Sequence, residues 1–254
     1  MTTLRKVAVP LAAIVIFLIL WEALVWVNGW PNFVMASPSD LPPAYIRYAD
    51  LFVTGSWQTL WRTVVGLIIA ILFGTFLGMV MGFSRTAREA LYPLLVGFNA
   101  VPKATVVPIL ALLFVGQHDF NTVMLAFMIS FFPIAVSVSI GLSTLEPEYR
   151  DILRSLGASN ATIFWKIALP KTLPEFFGAL KVAVTLAFIG TNLMEIVSPH
   201  GRGLGALFDS GRTNADYPLM FAVLIALAVL GIALFYVVVF LEKIFAGWAE
   251  RSPT

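Results

Sequence analysis

The sequence predicts an all-α membrane protein with six transmembrane helices, and three observations support this fold class. The chain of 254 residues is 59% hydrophobic and 12% charged, with a mean hydropathy of +0.91, whereas soluble domains carry about 25% charged residues. Apolar stretches of about 20 residues recur, and each can cross the hydrocarbon core as a helix. Alternation at period two, typical of a barrel strand, is absent.

The predicted spans form a single transmembrane domain over residues 1–254. Its core covers about residues 57–245, residues 1–56 hold the first helix and an outer segment, and residues 144–172 form a polar loop. The six spans are Val7–Val27, Val64–Phe83, Leu91–Gly116, Thr122–Leu142, Phe176–Val197 and Tyr217–Phe240.

The first span resembles a signal peptide in having Arg5 and Lys6 before it. The weak cleavage-site match at Val34 to Ala36 lies well beyond the apolar run, which is also long for a signal core. We therefore expect an uncleaved membrane anchor.

Basic residues predict the orientation, because cytoplasmic loops carry an excess of Lys and Arg. With the N-terminus inside, ten basic residues fall on inner segments and three, Arg47, Arg202 and Arg212, on outer ones. An even number of spans then places both termini in the cytoplasm. The ten inner residues are Arg5, Lys6, Arg85, Arg88, Arg150, Arg154, Lys166, Lys171, Lys243 and Arg251.

Small residues recur every fourth position in the second span, and this spacing lets another helix approach closely. Packing within one subunit is the favoured interpretation, and a subunit interface is the alternative. The residues are Gly66, Ala70, Gly74, Gly78 and Gly82.

The third span contains three prolines, each of which removes a helix hydrogen bond, with Asn99 and Lys103 near its middle. A lysine facing lipid at this depth is costly. Lys103 therefore faces a cavity, or the helix proper begins near Pro102 and Lys103 lies closer to the cytoplasm. Both alternatives place Lys103 near a permeation path.

Polar residues on the fourth and fifth spans are further candidates for a translocation path. Ser130 and Ser137 lie seven residues apart on one face of the fourth span. The fifth span presents a polar face at helical spacing, and hydrogen bonding between helices is the alternative role for it. The polar residues of that face are Lys181, Thr185, Asn192 and Glu195.

The sequence shows no cluster of residues typical of an enzyme. His118 and His200 are isolated, no metal-ligand spacing is present, and no GxxxxGK[ST] phosphate loop exists. A passive translocation subunit that binds no cofactor and takes its energy from elsewhere fits this pattern. A membrane enzyme would lack residues to carry its chemistry.

The long polar stretch from Glu146 to Pro174 contains a recognisable spacing. Gly157 is followed after nine residues by Ile167-Ala168-Leu169-Pro170, and Asp151-Ile152-Leu153 precedes it. This resembles the cytoplasmic EAA motif of binding-protein-dependent ABC importer permeases, in which Glu-Ala-Ala, three residues, Gly, nine residues and I-x-L-P follow one another. The acid is kept, and both alanines are replaced by larger residues.

The resemblance extends from about Ser37 to Lys243, through SRTAREALYPLLVGFNAVPKATVVPILALLFVG, FFPI, LGAS, KIALPKTLPEFFGALKVA, MEI and RGLG. These stretches resemble the branch with nitrate, taurine, sulfonate and bicarbonate permeases, and permeases for thiamine-precursor pyrimidines look similar.

The resemblance implies a type I ABC importer permease fold in the bacterial cytoplasmic membrane. It implies a homodimer, two cytoplasmic ATPase subunits that bind ATP and Mg, and a periplasmic or lipid-anchored solute-binding protein. The loop would dock on the ATPase as a short coupling helix, with Gly157 permitting a tight turn and Pro170 ending a second short helix. The expected coupling residues are Asp151, Arg154, Gly157, Ala158, Ile163, Phe164, Ile167, Leu169 and Pro170.

The substrate class is less determined. Lys103 and Lys181 would suit a small anion such as nitrate, a sulfonate or taurine, if they line the path. A pyrimidine or vitamin precursor is the alternative substrate. A stand-alone channel or secondary transporter is the alternative function, although no internal repeat supports it.

Overall fold

The computed structural model describes residues 3–143, 155–157, 159–198 and 201–248, and within these ranges every regular secondary-structure element is a helix. The elements are α1 (Thr3–Asn28), a 3₁₀ turn (Pro38–Asp40), α2 (Leu41–Arg47), α3 (Ala49–Phe83), α4 (Arg85–Ala100), α5 (Lys103–Leu113), α6 (His118–Ser143), α7 (Asn160–Ile163), a π-helical turn (Phe164–Ala168), α8 (Leu169–Val197), α9 (Leu204–Thr213) and α10 (Tyr217–Phe245).

Four of the described helices are long and apolar enough to cross a membrane: α3, α6, α8 with the end of the π-helical turn, and α10. The pair α4 and α5 passes the same test only together, with a bend of 87° between the two helices. In α1 the apolar stretch Ala12–Asn28 is shorter. We call the helix ends outer or inner according to the orientation that the basic residues predict.

The small residues of the second predicted span pack against α6 within the chain. A Cβ atom built on Gly66 would lie 2.6 Å from the Cβ of Ala126, and one built on Gly78 would lie 2.6 Å from the Cβ of Val138. Ala70, between them, is fully buried. The stripe therefore joins α3 to α6 at a distance that leaves no space for larger side chains.

The third predicted span is two helices that meet at a corner. Val101 is extended, as expected for a residue that precedes proline, and α5 begins immediately after Pro102. The Nζ atom of Lys103 donates to the carbonyl oxygens of Phe98 at 2.6 Å and Asn99 at 3.4 Å. Lys103 therefore satisfies carbonyl groups left free where α4 ends.

The expectation that Pro170 ends a short helix before the fifth predicted span is wrong. α7, the π-helical turn and α8 follow one another without interruption from Asn160 to Val197. Pro170 is the second residue of α8, which directly follows the π-helical turn. The wider π-helical turn gives room for the proline ring, which would clash with a preceding carbonyl in a regular α-helix.

The outer segment after α1 is attached to the bundle through specific hydrogen bonds. Ser39 donates its backbone N–H and its hydroxyl to the Glu22 carboxylate at 3.0 and 2.9 Å. The Tyr48 hydroxyl donates to Asp216 Oδ2 at 2.8 Å, at the start of α10. This hydrogen bond raises the pKa of the Tyr48 phenol, because loss of the proton would leave two negative charges side by side.

Candidate functional site

Arg62 is the centre of a charged cluster near the outer end of the bundle. It lies on α3, and its side chain is only 3% exposed. Its Nε and Nη2 atoms donate to Asp119 Oδ1 at 2.8 and 2.5 Å. Its Nη1 atom donates to Glu195 Oε1 at 2.9 Å and to the Arg202 carbonyl oxygen. Arg62 therefore ties α3 to α6, α8 and the segment before α9.

Glu195 is satisfied on both carboxylate oxygens. Besides the Arg62 guanidinium, it accepts from the Thr59 hydroxyl at 2.8 Å and from the Gly205 N–H at 3.0 Å. Thr59 in turn accepts from the Leu204 N–H at 2.9 Å. A buried carboxylate is costly unless it is paired and hydrogen-bonded, and this shell supplies Glu195 with three donors, two from side chains and one from the backbone.

The glycines before α9 bring the backbone against this carboxylate. Gly203 has φ +124°, and a Cβ atom built there would overlap the Glu195 side chain. A Cβ atom built on Gly205 would lie 2.7 Å from the Cβ of Glu195. A side chain at either position would exclude the backbone from the Glu195 shell.

Sequence reasoning placed Glu195 on a polar face but did not single out Arg62, Thr59 or Asp119. Arg62 lies just before the apolar part of α3, and Glu195 lies near the outer end of α8. In helices that cross in opposite directions these positions have a similar depth. The sequence signal that could have predicted this pair was a basic residue, Arg62, and an acidic residue, Glu195, at a similar depth on two spanning helices.

Lys181 and Lys103, the expected path cations, both have partners in the structure. The Lys181 Nζ atom donates to both carboxylate oxygens of Glu242 on α10 at 2.9 Å. Lys103 binds carbonyl groups at the end of α4 and lies 4.6 Å from the centre of the Phe98 ring. Each lysine ammonium group therefore has hydrogen-bond acceptors within the chain.

The other expected path residues differ in their exposure and in their hydrogen bonds within the chain. Ser130 is buried and donates to its own helix, and the Ser137 hydroxyl donates to the Glu175 carbonyl oxygen on α8 at 2.8 Å. Asn99 and Thr185 are exposed. Asn192 donates to the Phe188 carbonyl oxygen at 2.7 Å, and its own side-chain oxygen is buried without a hydrogen bond.

The predicted coupling segment enters α8 directly. Gly157 has φ +81°, a conformation that favours glycine, and nothing lies within 4 Å of a Cβ built there. Leu156 beside it is 77% exposed. Ile163, expected to pack on a partner, is already buried within the chain at 4% exposure.

The remaining coupling residues are only partly described. Ile167 lies in the π-helical turn, Leu169 and Pro170 begin α8, and all three are partly buried. Asp151, Arg154, Ala158 and the side chain of Phe164 lie outside the described part of the structure. Within that part, no three His, Asp or Glu side chains lie close enough together to hold a metal ion.

The chain is similar to known permeases over nearly its whole length. It is 30% identical over 244 residues to the formylaminopyrimidine transport permease protein ThiX of Halalkalibacterium halodurans, with 96% of each chain covered. It is 26% identical over 244 residues to the taurine transport system permease protein TauC of Escherichia coli, covering 91% of this chain and 85% of TauC.

The fold is also found in a solved transporter. A chain of the inward-facing MetNI methionine ABC transporter superposes with a TM-score of 0.66 at 18% identity, covering 78% of this chain and 98% of that one. The family profile of the binding-protein-dependent transport system inner membrane component matches residues 70–248. The chain therefore belongs to the family of binding-protein-dependent transport system inner membrane components, which are ABC transporter permeases, and it is a multi-pass membrane protein.

Proposed function

We propose that this chain is the permease subunit of an ATP-driven importer in the bacterial cytoplasmic membrane, with six spans and both termini in the cytoplasm. The observation that carries the proposal is the continuity between the coupling segment and α8. Gly157, in its left-handed turn, precedes a helix that runs from Asn160 to Val197. A force on the segment would pass directly into a membrane-spanning helix.

The partner at this segment is a cytoplasmic ATPase, which supplies the ATP and Mg sites. The exposed Leu156 side chain offers an apolar contact beside the turn. The other motif residues between Asp151 and Pro170, apart from the buried Ile163, would extend this docking surface. Closure of the ATPases would then favour one packing of the spanning helices over another.

The π-helical turn supports this role. π-helical turns are rare and are frequently found at functional sites. Here the turn Phe164–Ala168 lies between the coupling segment and the membrane-spanning part of the helix. It is the element through which any displacement of the coupling segment must pass.

The other partners are a second copy of the chain and an external solute-binding protein. The homodimer would form the translocation path between the two copies, and the binding protein would deliver the solute to the outer side. We assign the eight path residues to this function as a proposal. They are Asn99, Lys103, Ser130, Ser137, Lys181, Thr185, Asn192 and Glu195.

The solute class that fits best is a small polar heterocycle, with a small anion as the second candidate. The anion was expected because Lys103 and Lys181 would offer free positive charge. Lys181 is instead paired with Glu242, and Lys103 binds backbone carbonyl groups. The similarity to a formylaminopyrimidine permease favours the heterocycle, and the similarity to a taurine permease keeps a sulfonate as the second candidate.

Site-directed cross-linking tests the assignment, since the chain contains no cysteine. Ser159, exposed beside Gly157, and Asn214, exposed after α9, are each replaced by cysteine in the complex with its ATPase. A short cross-linker with a maleimide at one end and an amine-reactive ester at the other should join lysines of the ATPase to Ser159→Cys and leave Asn214→Cys unjoined. Cross-linking from Asn214→Cys, or from neither position, would refute the proposed docking surface.

A further inference from the structure

A cavity of about 520 Å³ opens beside the charged cluster, at the outer end of α6. Its volume is in the range of small-molecule sites. The lining combines two cationic side chains, one acidic side chain, a histidine, an amide and an aromatic ring. The residues are Arg62, Gln117, His118, Asp119, Phe120 and Arg202.

Arg62, on one wall of the cavity, retains an unused hydrogen-bond donor. Its guanidinium group has five N–H bonds. The Nε atom and one Nη2 hydrogen bind Asp119, and the two Nη1 hydrogens bind Glu195 and the Arg202 carbonyl oxygen. The second Nη2 hydrogen has no partner among the described residues, although the side chain is only 3% exposed.

Asp119 retains an unused acceptor next to that donor. Its hydrogen bonds with Arg62 use only Oδ1, at 2.8 and 2.5 Å. Oδ2 accepts no hydrogen bond from the residues that the structure describes, and the side chain is 62% exposed. Two side chains of the lining that are already joined therefore each retain a free group: an N–H on Arg62 and a carboxylate oxygen on Asp119.

We propose that this cavity is an outer binding site for small uncharged heterocycles in which an amino group lies next to a ring nitrogen, as in an aminopyrimidine. The ring nitrogen accepts from Arg62 Nη2, and the amino group donates to Asp119 Oδ2. Phe120, held edge-on to Phe114 at a ring distance of 4.9 Å, provides an apolar wall for the ring. This inference rests on the proposed importer function, for which the cavity would receive solute at the outer side.

Charge balance favours a neutral solute over an anion. On the wall that carries the free donor and acceptor, Arg62 and Asp119 are paired and their charges cancel; Arg202 is the remaining charged side chain of the lining. An anion would meet the exposed Asp119 carboxylate. A zwitterion would need to reach both Asp119 and Arg202, and would leave the Arg62 donor unused.

Ligand-observed saturation-transfer NMR on the full chain in lipid nanodiscs tests the site, with cytosine as the probe. Uracil is the matched ligand, because it has the same ring size without the amino group. Cytosine should give a saturation-transfer signal with the wild-type chain. Neither nitrate nor taurine at equal concentration should remove this signal. Binding of uracil as tight as that of cytosine, full displacement by either anion or zwitterion, or no saturation at all would overturn the proposal.

Two variants test whether cytosine binds in this cavity. Asp119→Asn keeps an oxygen for Arg62 and replaces the free acceptor by an N–H₂ donor, so cytosine binding should weaken about threefold to tenfold, as for one lost hydrogen bond. Asp209→Asn removes a partly buried carboxylate outside the cavity, paired with Arg212, and should leave binding unchanged. Equal binding to both variants would refute the assignment, and the wild-type ligand comparison decides the question if Asp119→Asn does not fold.

The result is separable from the importer assignment. If the complex shows no ATP-driven uptake while cytosine binding still depends on Asp119, the importer function fails and the site stands. If uptake is ATP-driven and cytosine does not bind, the site alone fails.

Discussion

Arg62 and Glu195 form an ion pair inside the protein, with Arg62 Nη1 2.9 Å from Glu195 Oε1 and the side chains 3% and 1% exposed. The two residues are 133 positions apart in the sequence and belong to different spanning helices. A buried pair is costly to form and still more costly to break on one side, because the remaining charge is left without its counterion. This pair therefore fixes how α3 and α8 meet at their outer ends.

Loss of the Glu195 carboxylate should destabilise the chain strongly. Glu195→Ala leaves the Arg62 Nη1 donor, the Thr59 hydroxyl and the Gly205 N–H without their acceptor. We expect a loss of about 3–5 kcal/mol, measured as thermal unfolding of the detergent-purified chain by tryptophan fluorescence. Asp209→Ala removes one partner of the more exposed Arg212–Asp209 pair and should cost at most about 1 kcal/mol. Equal losses of stability in the two variants would show that the Arg62–Glu195 pair does not stabilise the fold.

The close contact of α3 with α6 predicts opposite outcomes for the same substitution at two glycines. In Gly78→Ala the new Cβ would lie 2.6 Å from the Val138 Cβ and 2.7 Å from the Ala135 carbonyl oxygen. Neither atom is at the end of a flexible side chain, so we expect a loss of about 1–3 kcal/mol.

Gly178 on α8 is the matched control, because nothing lies within 4 Å of a Cβ built there. Gly178→Ala should be neutral or stabilising by up to about 1 kcal/mol, through the higher helix propensity of alanine. The unfolding midpoints of the two variants provide the comparison, and a Gly78→Ala chain as stable as the wild type would contradict the packing.

A charge exchange tests the contact between Lys181 and Glu242. The pair is partly buried, with side chains 29% and 16% exposed. Lys181→Glu alone places two acids together and should lower the unfolding midpoint, and the double variant Lys181→Glu with Glu242→Lys should restore most of it. A double variant no more stable than the single one would mean that the two charges do not interact.

Lys103 should hold the corner between α4 and α5. Lys103→Met removes the hydrogen bonds to the Phe98 and Asn99 carbonyl groups. Because the chain lacks cysteine, spin labels can be attached at cysteines replacing Leu94 and Leu112, both exposed.

The distance distribution between these labels, measured by pulsed electron paramagnetic resonance, should be narrow in the wild-type background and broad in Lys103→Met. Lys103→Arg retains a donor and should keep the narrow distribution. An unchanged distribution in Lys103→Met would show that the proline alone sets the corner.

Hydropathy was sufficient to locate the long apolar helices, because an apolar run of about 20 residues matches the thickness of the hydrocarbon core. It did not give their ends. α3 begins at Ala49 rather than near Val64, since the helix continues beyond its apolar part. The corner at Pro102 was predictable from the restrictions that proline places on the preceding residue.

The candidate sites were predicted unevenly. Gly157 and the spacing to Pro170 depend on local sequence, so the turn was found, but the π-helical turn that lets the helix continue through Pro170 has no simple sequence signal. The partners of Lys181 and Glu195 lie on other helices, and a single sequence gives no direct information about such distant pairs. The polar face on the fifth span was therefore visible, and its use in contacts with Glu242 and Arg62 was not.

ATP-driven uptake by proteoliposomes containing the chain, its ATPase and its binding protein tests the central claim most directly. Two variants each place valine at a positive φ, which strains the backbone: Gly157→Val at φ +81° and Gly29→Val at φ +60°. Nothing lies within 4 Å of a Cβ built at either position. We predict uptake that requires ATP in the wild type and in Gly29→Val, and ATP hydrolysis without uptake in Gly157→Val. Uptake without ATP or partner subunits, or unchanged uptake in Gly157→Val, would contradict the account.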